Sequence, residues 1–385
     1  MKSPSRIYLD NAATSWPKPE RVYQAVDGYQ RSNGCTLGRT TGQLSGDLSR
    51  SVEQLRSRLR QLLGAPRAAV LFTMNGSDSL NLAIHGLVRP GDHVLTTTAE
   101  HNSVLRPLRT LEDRGMIEVT RLECDSLGRV EAARVDRAVR PDTRLVCITH
   151  CSNVTGAKND LCSIGERLKS RQALLLVDAA QSVGSAEIAM EDWGIDLMAC
   201  PGHKGLLGPL GTGVLMVGQR AETELQPVRQ GGTGASSESD QHPQGFPEAF
   251  EVGNHNMPGL IGLREGVEHV METGVQEIAR TKRELARQFV ESCREVPGIR
   301  FFSELETLDS GIVSFNVGIE SHELATVLDS AFGIQIRAGY HCASLIHPYI
   351  GSSGGCARMS FGCLNTMDEA GAAADAIRNI VESFS

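Results

Sequence analysis

Aromatic residues are scarce in this sequence, at 4% of its 385 residues, and no apolar run is long enough to cross a bilayer. The scarcity argues against a protein that stacks single-stranded nucleic acid on aromatic side chains. Basic residues are outnumbered as well, 38 against 46 acidic ones, which gives a formal net charge of -8. Because proteins that bind nucleic acid usually carry a cationic surface, we expect neither a nucleic-acid partner nor a membrane.

Closely paired cysteines are also missing, although the chain contains ten cysteines. Without a CxxC spacing in a chain of this length, a disulfide scaffold and a zinc ribbon are disfavoured, and we predict no metal site. The first ten residues, MKSPSRIYLD, lack the apolar stretch of a signal peptide. These features predict a protein of the reducing cytoplasm, whose cysteines are either all core residues or include a few reactive ones.

The remaining composition is that of an ordinary globular protein, with 40% apolar and 22% charged residues. Over the first two-thirds of the chain, short apolar runs alternate with helical patterns, which predicts βαβ units and a mostly parallel sheet. The predicted strands are Ala68–Thr73, His93–Thr97, Ile117–Leu122, Leu145–Thr149, Leu174–Asp178, Leu197–Cys200 and Gly213–Val217. The predicted helices are Ser77–Leu87, Ser103–Arg114, Arg129–Ala138 and one that begins at Ile164–Lys169.

The pattern changes after residue 217. Residues 229–247 are rich in Gly, Ser, Gln and Pro and predict a long functional loop. A smaller α+β domain is expected beyond it, so that residues 15–255 form a large domain and residues 1–14 with 256–385 form a small one. Its predicted elements are a helix-rich stretch over Gly259–Val296, strands at Ile312–Asn316, Gly333–Arg337 and Ala357–Ser360, and a last helix at Asp368–Phe384.

Three polar features follow predicted strands, where the binding sites of open α/β sheets lie. Asp178 ends one strand, Lys204 lies in a Gly-rich turn after another, and Gly76-Ser77 opens a helix. Taken singly, these are a helix cap, a surface lysine and a plain N-cap. Taken together, they match a site for pyridoxal 5'-phosphate (PLP), which needs a Schiff-base lysine, an acid for the pyridinium nitrogen and a helix N-terminus for the phosphate.

Several further motifs carry a family resemblance over nearly the whole chain. They are YLDNAAT (8–14), FTMNGSDSLNL (72–82), AEHNS (99–103), HCSNVTG (150–156), VDAAQSVG (177–184), GHKGLLGPLGTG (202–213), FEVGNHN (250–256), RAGYHCA (337–343) and ARMSFGCLNT (357–366). In these motifs the chain resembles the cysteine desulfurases, which have the class V aminotransferase fold, and among them the SufS-like and selenocysteine-lyase-like branch. The resemblance implies a fold type I PLP-dependent transferase, with a mostly parallel seven-stranded sheet in the large domain.

The resemblance also implies roles for single residues. Lys204 would hold PLP covalently, Asp178 would pair with its ring nitrogen, and Gln181 would reach its phenolic oxygen. The other implied contacts are His101 on the ring face and in proton transfer, Asn153 near the cofactor oxygen or the substrate carboxylate, Gly76, Ser77 and His203 at the phosphate, Asn254 at the phosphate of the partner subunit, and Arg358 at the substrate carboxylate. Without the resemblance, Arg358 would be read as a surface arginine at a strand edge.

Cys342 distinguishes a desulfurase from the aminotransferases of the same fold. A free cysteine is usually a core residue, but Cys342 lies in a polar, Gly-containing segment. His341 and Arg337 are close in sequence and would favour its thiolate. The resemblance implies that Cys342 takes sulfur from the substrate as a persulfide.

The implied reaction converts L-cysteine to L-alanine and passes the sulfur to an acceptor protein or thiol, as in iron–sulfur cluster assembly. The alternatives are a selenocysteine lyase or another C–S lyase of the fold, and a non-catalytic PLP-binding or sulfur-carrier scaffold. The resemblance further implies a homodimer, in which the loop 231–239 either completes the partner's site or is merely solvated. Two positions depart from the family pattern: Asn254 replaces the usual Thr, and Gly42-Gln43 lies where relatives often carry His.

Overall fold

The computed structural model describes residues 6–37, 42–234 and 238–384. The strands in these ranges are β1 (Ile7–Tyr8), β2 (Ala69–Thr73), β3 (Asp92–Thr97), β4 (Ile117–Leu122), β5 (Thr143–Thr149), β6 (Leu174–Asp178), β7 (Leu197–Pro201), β8 (Gly213–Val217), β9 (Ile299–Phe301), β10 (Ile312–Val317), β11 (Ile334–Gln335), β12 (Arg337–Gly339) and β13 (Cys356–Ser360). The helices are α1 (Glu20–Ser32), α2 (Gln43–Leu62), α3 (Gly76–Leu87), α4 (Asn102–Asp113), α5 (Ala132–Ala138), α6 (Leu161–Leu168), α7 (Gln219–Glu222), α8 (Met257–Thr273), α9 (Val275–Cys293), α10 (Ser321–Phe332), α11 (His347–Ile350) and α12 (Met367–Phe384), with a 3-10 turn at Leu305–Ser310.

A seven-stranded sheet with the order β2-β8-β7-β6-β5-β3-β4 lies at the centre of the fold. β8 runs antiparallel to both of its neighbours, and the other pairs are parallel. All residues of β6 are buried, and alternate ones belong to two hydrophobic clusters, Leu175 and Val177 to one and Leu174 and Leu176 to the other. A sheet covered on both faces requires such unbroken apolar strands. The predicted α/β class with a mostly parallel sheet is confirmed.

A smaller antiparallel sheet, of order β12-β13-β10-β9, packs against helices from the last third of the chain. Phe289 of α9, Leu324 of α10 and Ile377 of α12 share one hydrophobic cluster with the sheet. The N-terminal segment joins this part of the molecule, because β1 pairs with β11 and the N–H of Ser360 donates to the carbonyl of Leu9 at 2.7 Å. The division of the chain into two domains at residue 255 remains a prediction.

Two sequence expectations are wrong in detail. The single strand predicted for Gly333–Arg337 is two short strands in different sheets, β11 beside β1 and β12 beside β13. The helix predicted from Arg129 begins at Ala132, because the Asp125 carboxylate accepts the N–H groups of Leu127 and Arg129 and holds a turn there. Helices α1, α2 and α10 were not predicted.

None of the described helices is long and apolar enough to cross a membrane. Within the same ranges, no three His, Cys, Asp or Glu side chains lie together in a way that could hold a metal ion.

Candidate active site

The carboxyl ends of β5, β6 and β7 open onto one cavity of about 500 Å³, here called the lysine cavity. Neighbouring parallel strands end at the same edge of a sheet, which explains why residues far apart in sequence meet there. The predicted site residues that line it are Gly76, Ser77, His101, Asn153, Asp178, Gln181, His203, Lys204 and Arg358.

Lys204 lies in the tight loop that follows β7. The loop packs closely against its neighbours, since a Cβ at Gly205 would lie 1.9 Å from the carbonyl oxygen of Val183. Burial lowers the pKa of Lys204 to about 8, although the nearby Asp178 acts in the opposite direction. An appreciable fraction of the amine is therefore unprotonated near neutral pH, as a nucleophilic lysine requires.

Asp178 is buried at the end of β6, and one of its carboxylate oxygens accepts the N–H of Ala180 at 3.0 Å. Burial raises the pKa of Asp178, while this hydrogen bond and the charge of Lys204 oppose the rise. A carboxylate in such a place is stabilised further by any cationic group placed beside it in the cavity.

The N-terminus of α3 also faces the lysine cavity. The Asn75 side chain caps the helix by accepting the N–H of Asp78 at 2.9 Å. The first N–H groups of a helix have no intrahelical partner and suit an anion. A Cβ at Gly76 would lie 3.1 Å from Cδ of Pro201, so glycine permits the close approach of this helix end to β7.

His203 presents a second group suited to an anion. Its buried Nδ1 has no hydrogen-bond partner among the described residues. Burial, followed by the charges of Lys204 and Lys18, lowers the pKa of His203 to about 4, so the ring is neutral at neutral pH. A neutral imidazole carries one N–H, which can be donated to a ligand oxygen.

His101 forms the N-cap of α4. Its Nδ1 accepts the N–H of Ser103 at 3.0 Å, and the Ser103 hydroxyl lies 2.6 Å from that of Ser77 at the start of α3. Burial and then the charges of Lys204 and Arg337 lower the pKa of His101 to about 4. The neutral ring is thus held in a fixed orientation at the cavity wall.

The N-terminal segment fixes two of these residues from outside the sheet. The carbonyl of His203 accepts from the N–H of Ser15 at 3.1 Å and from Nζ of Lys18 at 2.8 Å. The amide of Gln181 donates to the carbonyl of Ala12 at 2.9 Å, which leaves its second N–H for a ligand.

Arg358 also lines the lysine cavity, and two hydrogen bonds hold its guanidinium. It is 1% exposed, so its reading as a surface arginine is wrong. One terminal nitrogen donates to Asp10 at 2.7 Å and the other to the carbonyl of Asn153 at 2.9 Å. Its buried Nε has no partner among the described residues. The guanidinium therefore has unused N–H groups in a fixed position, as carboxylate recognition requires.

Cys342 lies in a strained turn that the rest of the site holds in place. His341 and Cys342 have φ of 49° and 59°, values that residues with a Cβ rarely adopt. The Asn153 side chain donates to the carbonyl of His341 at 2.6 Å, and the N–H of Asn102 donates to that of Cys342 at 2.7 Å. Backbone strain of this kind persists only where the surroundings enforce it, and it is concentrated at functional sites.

Among the described residues, Arg337 is the cationic side chain that forms a hydrogen bond with Cys342. A terminal nitrogen of Arg337 donates to Sγ of Cys342 at 3.1 Å. Burial lowers the pKa of His341 well below its usual value, so its ring is neutral, and its Nε2 lies 3.0 Å from the carbonyl of Cys356. The suggestion that His341 favours the thiolate is therefore wrong, because a buried neutral ring supplies no charge.

Comparisons with known proteins identify the family of the chain. Residues 7–372 match the family model described as aminotransferase class-V. The chain belongs to the aminotransferase class-V family.

Relatives in this family cover almost the full length of the chain. A probable cysteine desulfurase of Methanothermobacter thermautotrophicus is 34% identical over 94% of this chain and 92% of its own. A probable cysteine desulfurase of Pyrococcus abyssi is 31% identical over 98% and 95%. The apo structure of a cysteine desulfurase from Thermococcus onnurineus NA1 is 30% identical, covers 98% of this chain and 95% of its own, and has a TM-score of 0.90. The resemblance to the cysteine desulfurases of the class V aminotransferase fold is confirmed, and the branch within them remains a prediction.

Two of the predicted residues do not line the lysine cavity of this class-V protein. Cys342 lines an adjoining cavity of about 810 Å³, which shares Arg337 and His341 with it. Asn254 is exposed in another cavity, beside Asp78 and Arg229. Its expected contact with the partner's phosphate remains a prediction.

Both departures from the family pattern lie within the described residues, whereas the long loop lies partly outside them. Gly42 is the N-cap of α2 and Gln43 its first residue, but 38–41 are not described. Of the loop 231–239, residues 235–237 are not described, and the carbonyl of Gly232 accepts the N–H of Gly253 at 2.8 Å.

Sequence reasoning missed Asp10, Asn75 and Ser103. All three lie inside the motifs that carry the family resemblance, but no role was assigned to them. Ser103 follows His101 by two residues, the spacing at which an N-cap side chain meets a backbone N–H. Cys147 and Cys200 are 0% and 1% exposed in strands, as predicted for core cysteines.

Proposed function

We propose that this protein is a PLP-dependent cysteine desulfurase, which converts L-cysteine to L-alanine and transfers the sulfur to Cys342. The observation that carries the proposal is the juxtaposition of two reactive groups. An amine with a lowered pKa, Lys204, lies in one cavity, and a thiol paired with Arg337 lies in the next, with Arg337 lining both. An aminotransferase needs the amine but not the thiol.

The residues of the lysine cavity fit PLP. Lys204 would bind its aldehyde, Asp178 its ring nitrogen, and His101 its ring face, while Gln181 has an N–H left for the phenolic oxygen. The phosphate would lie at the start of α3, near Gly76, Ser77 and the unpartnered Nδ1 of His203. When bound, PLP supplies an aldehyde that condenses with amines and a ring that accepts the electron pair of the substrate α-carbon.

Arg358 and Lys204 prepare the substrate. The free N–H groups of Arg358 bind the carboxylate of L-cysteine, and the pairing with Asp10 and Asn153 fixes their direction. Lys204 would act as the base that removes the α-proton of the substrate, at its Nζ. A pKa of about 8 makes this amine a base suited to neutral pH.

Cys342 then takes the sulfur. Its thiolate attacks Sγ of the substrate, the S–S bond forms, and the Cβ–Sγ bond breaks with its electron pair left on the carbon skeleton. Protonation of that skeleton gives alanine, and Cys342 carries a persulfide. Asn153 couples the two halves of the site, because its carbonyl holds Arg358 and its amide holds the turn at His341.

The finer features of the family remain proposals for this chain. We expect a homodimer of the cytoplasm, with Asn254 and the loop 231–239 as the candidates for completing the site of the partner subunit; the alternative for the loop is that it is solvated. The sulfur acceptor is a thiol or a carrier protein, which a reducing compartment provides.

Replacing Cys342 tests the assignment. We expect Cys342→Ala to retain the yellow bound cofactor and to lose thiol-dependent sulfide release from L-cysteine. Alanine release from L-cysteine, L-selenocysteine and cystine, measured side by side, separates the desulfurase from other C–S lyases. Full sulfide release from the Cys342→Ala variant would refute the assignment.

A further inference from the structure

The cavity that contains Cys342, here called the acceptor cavity, has a volume of about 810 Å³. Its walls include Leu105, Leu345 and Tyr340, together with the turn that bears Cys342. Arg337 and His341 stand between it and the lysine cavity. A volume of this size accommodates a small organic molecule.

The lining of the acceptor cavity contains basic but no acidic side chains, and the structure describes all of its residues. Its arginines are Arg106, Arg109, Arg121 and Arg337.

Two of these arginines are neutralised by carboxylates outside the cavity. Arg109 pairs with Asp113 at 2.8 Å, and Arg121 pairs with Glu112 at 2.7 Å. Their charges therefore contribute little to the field inside the cavity.

The other two are not neutralised. Neither Arg106 nor Arg337 forms an ion pair with a carboxylate in the described parts of the chain, and Arg337 donates to Sγ of Cys342. Arg106 is exposed on α4, and α4 begins next to His101. The reactive sulfur thus lies in a concave space with two uncompensated positive charges.

We propose that the acceptor cavity receives a small thiol that carries a carboxylate, and that Arg106 selects it by charge; the proposal rests on the desulfurase function proposed above. The thiolate of the acceptor attacks the outer sulfur of the Cys342 persulfide. The S–S bond to Cys342 breaks, Cys342 leaves as a thiolate, and the acceptor keeps the sulfur as its own persulfide. A second acceptor thiolate then releases hydrosulfide and forms the acceptor disulfide, so that no outside oxidant is needed.

Alkylation of Cys342 tests the charge selection without any turnover. The rates at which anionic iodoacetate and neutral iodoacetamide modify Cys342 are measured on the holoenzyme by peptide mapping. We expect Arg106→Ala to lower the iodoacetate rate two- to fivefold, roughly the effect of one nearby charge in a wet cavity, and to leave the iodoacetamide rate unchanged. The effect should disappear at high salt.

Two internal controls accompany this experiment. Arg114→Ala removes the same charge just beyond the end of α4, outside the cavity lining, and should change neither rate. The exposed Cys162 should show the same ratio of the two rates in every variant. An iodoacetate-to-iodoacetamide ratio at Cys342 that is unaffected by Arg106→Ala would overturn the proposal.

Turnover provides the second readout. Alanine release from L-cysteine is measured with 3-mercaptopropionate, which carries a carboxylate, and with 2-mercaptoethanol, which has a neutral hydroxyl group in its place. We expect Arg106→Ala to lower kcat/KM for 3-mercaptopropionate two- to fivefold and to spare 2-mercaptoethanol. Equal losses for both thiols would contradict the charge selection. Absence of alanine with either thiol would instead refute the desulfurase function, while the alkylation ratio still decides the role of Arg106.

Discussion

Lys204 should destabilise the folded state of the cofactor-free protein, because burial of its amine disfavours the protonated form. A pKa lowered from 10.5 to about 8 corresponds to roughly 3 kcal/mol against the protonated form in the folded state. Part of the side chain remains exposed to the cavity, and Asp178 loses a favourable neighbour if the lysine is removed. We therefore expect Lys204→Met to raise the free energy of unfolding of the apoprotein by about 2 kcal/mol at pH 7.

The pH dependence of stability distinguishes the effect of the buried amine from an effect of better packing by the methionine side chain. At pH 7 the amine is mostly protonated in the folded state and fully protonated in the unfolded state, so most of the destabilisation is present. Between pH 8 and 10.5 the folded state releases its proton first, and the wild type gains stability relative to the variant. The advantage of Lys204→Met should therefore shrink over that range.

The assay is urea unfolding of the two apoproteins at matched concentration, at pH 7 and again above pH 10. Lys169→Met is the control, because Lys169 is exposed and pairs with Glu166, and we expect it to change stability by less than about 0.5 kcal/mol. A Lys204→Met variant no more stable than wild type at pH 7, or an advantage independent of pH, would refute the reasoning.

Three further variants test other parts of the site. Arg358→Lys should lower kcat/KM for L-cysteine roughly 10- to 100-fold in steady-state kinetics. An ammonium cannot keep its hydrogen bonds to Asp10 and to the Asn153 carbonyl while it also forms charge-assisted hydrogen bonds to the substrate. A loss under twofold would be evidence against carboxylate binding by Arg358. Gly76→Ala should weaken PLP binding about tenfold, because the added Cβ would lie 3.1 Å from Pro201 and would displace the start of α3. Absorbance titration of the apoprotein with PLP measures the affinity, and an unchanged affinity would place the phosphate elsewhere. Arg56→Ala should lower the free energy of unfolding, measured by urea denaturation, by about 3 to 5 kcal/mol. The reason is that Glu251, which Arg56 binds at 2.8 Å, would remain buried without its main partner. A decrease of less than about 1 kcal/mol would contradict this prediction.

The strands of the large sheet could be predicted because burial on both faces leaves a continuous apolar run. Leu174–Asp178 and Gly213–Val217 were predicted with the bounds that the structure has. The smaller strands were harder, since β11 and β12 have only two and three residues and owe their separation to partners distant in sequence.

The helices before β2 were missed for a related reason. α1 and α2 are rich in charged and polar residues; Val22 is buried in α1, and the buried apolar residues of α2 are Leu48, Val52, Leu55 and Leu59. Helices of this kind gain much of their stability from packing one face against another helix, here α8. In α2 the apolar residues recur at helical spacing, so the pattern contained a signal that the prediction did not use.

In the candidate site, the candidate catalytic and binding residues could be predicted from the sequence, but the hydrogen bonds and ion pairs that hold them could not. Lys204 and Asp178 follow recognisable strands, whereas Asp10 meets Arg358 only because β1 joins the last third of the chain. The neutrality of His341 depends on its burial, which spacing does not reveal. The separation of Cys342 from Lys204 into adjoining cavities likewise depends on the turn at 341–342.

Sulfur on Cys342 is the most direct test of the proposed function. The holoenzyme is given one equivalent of L-cysteine without an acceptor, alanine is quantified, and the cysteine-containing peptides are mapped for an additional sulfur atom. We predict one alanine per subunit and the added sulfur on Cys342 alone. Sulfur on another cysteine, such as Cys363 or Cys356, or alanine without any protein-bound sulfur would contradict the proposed function.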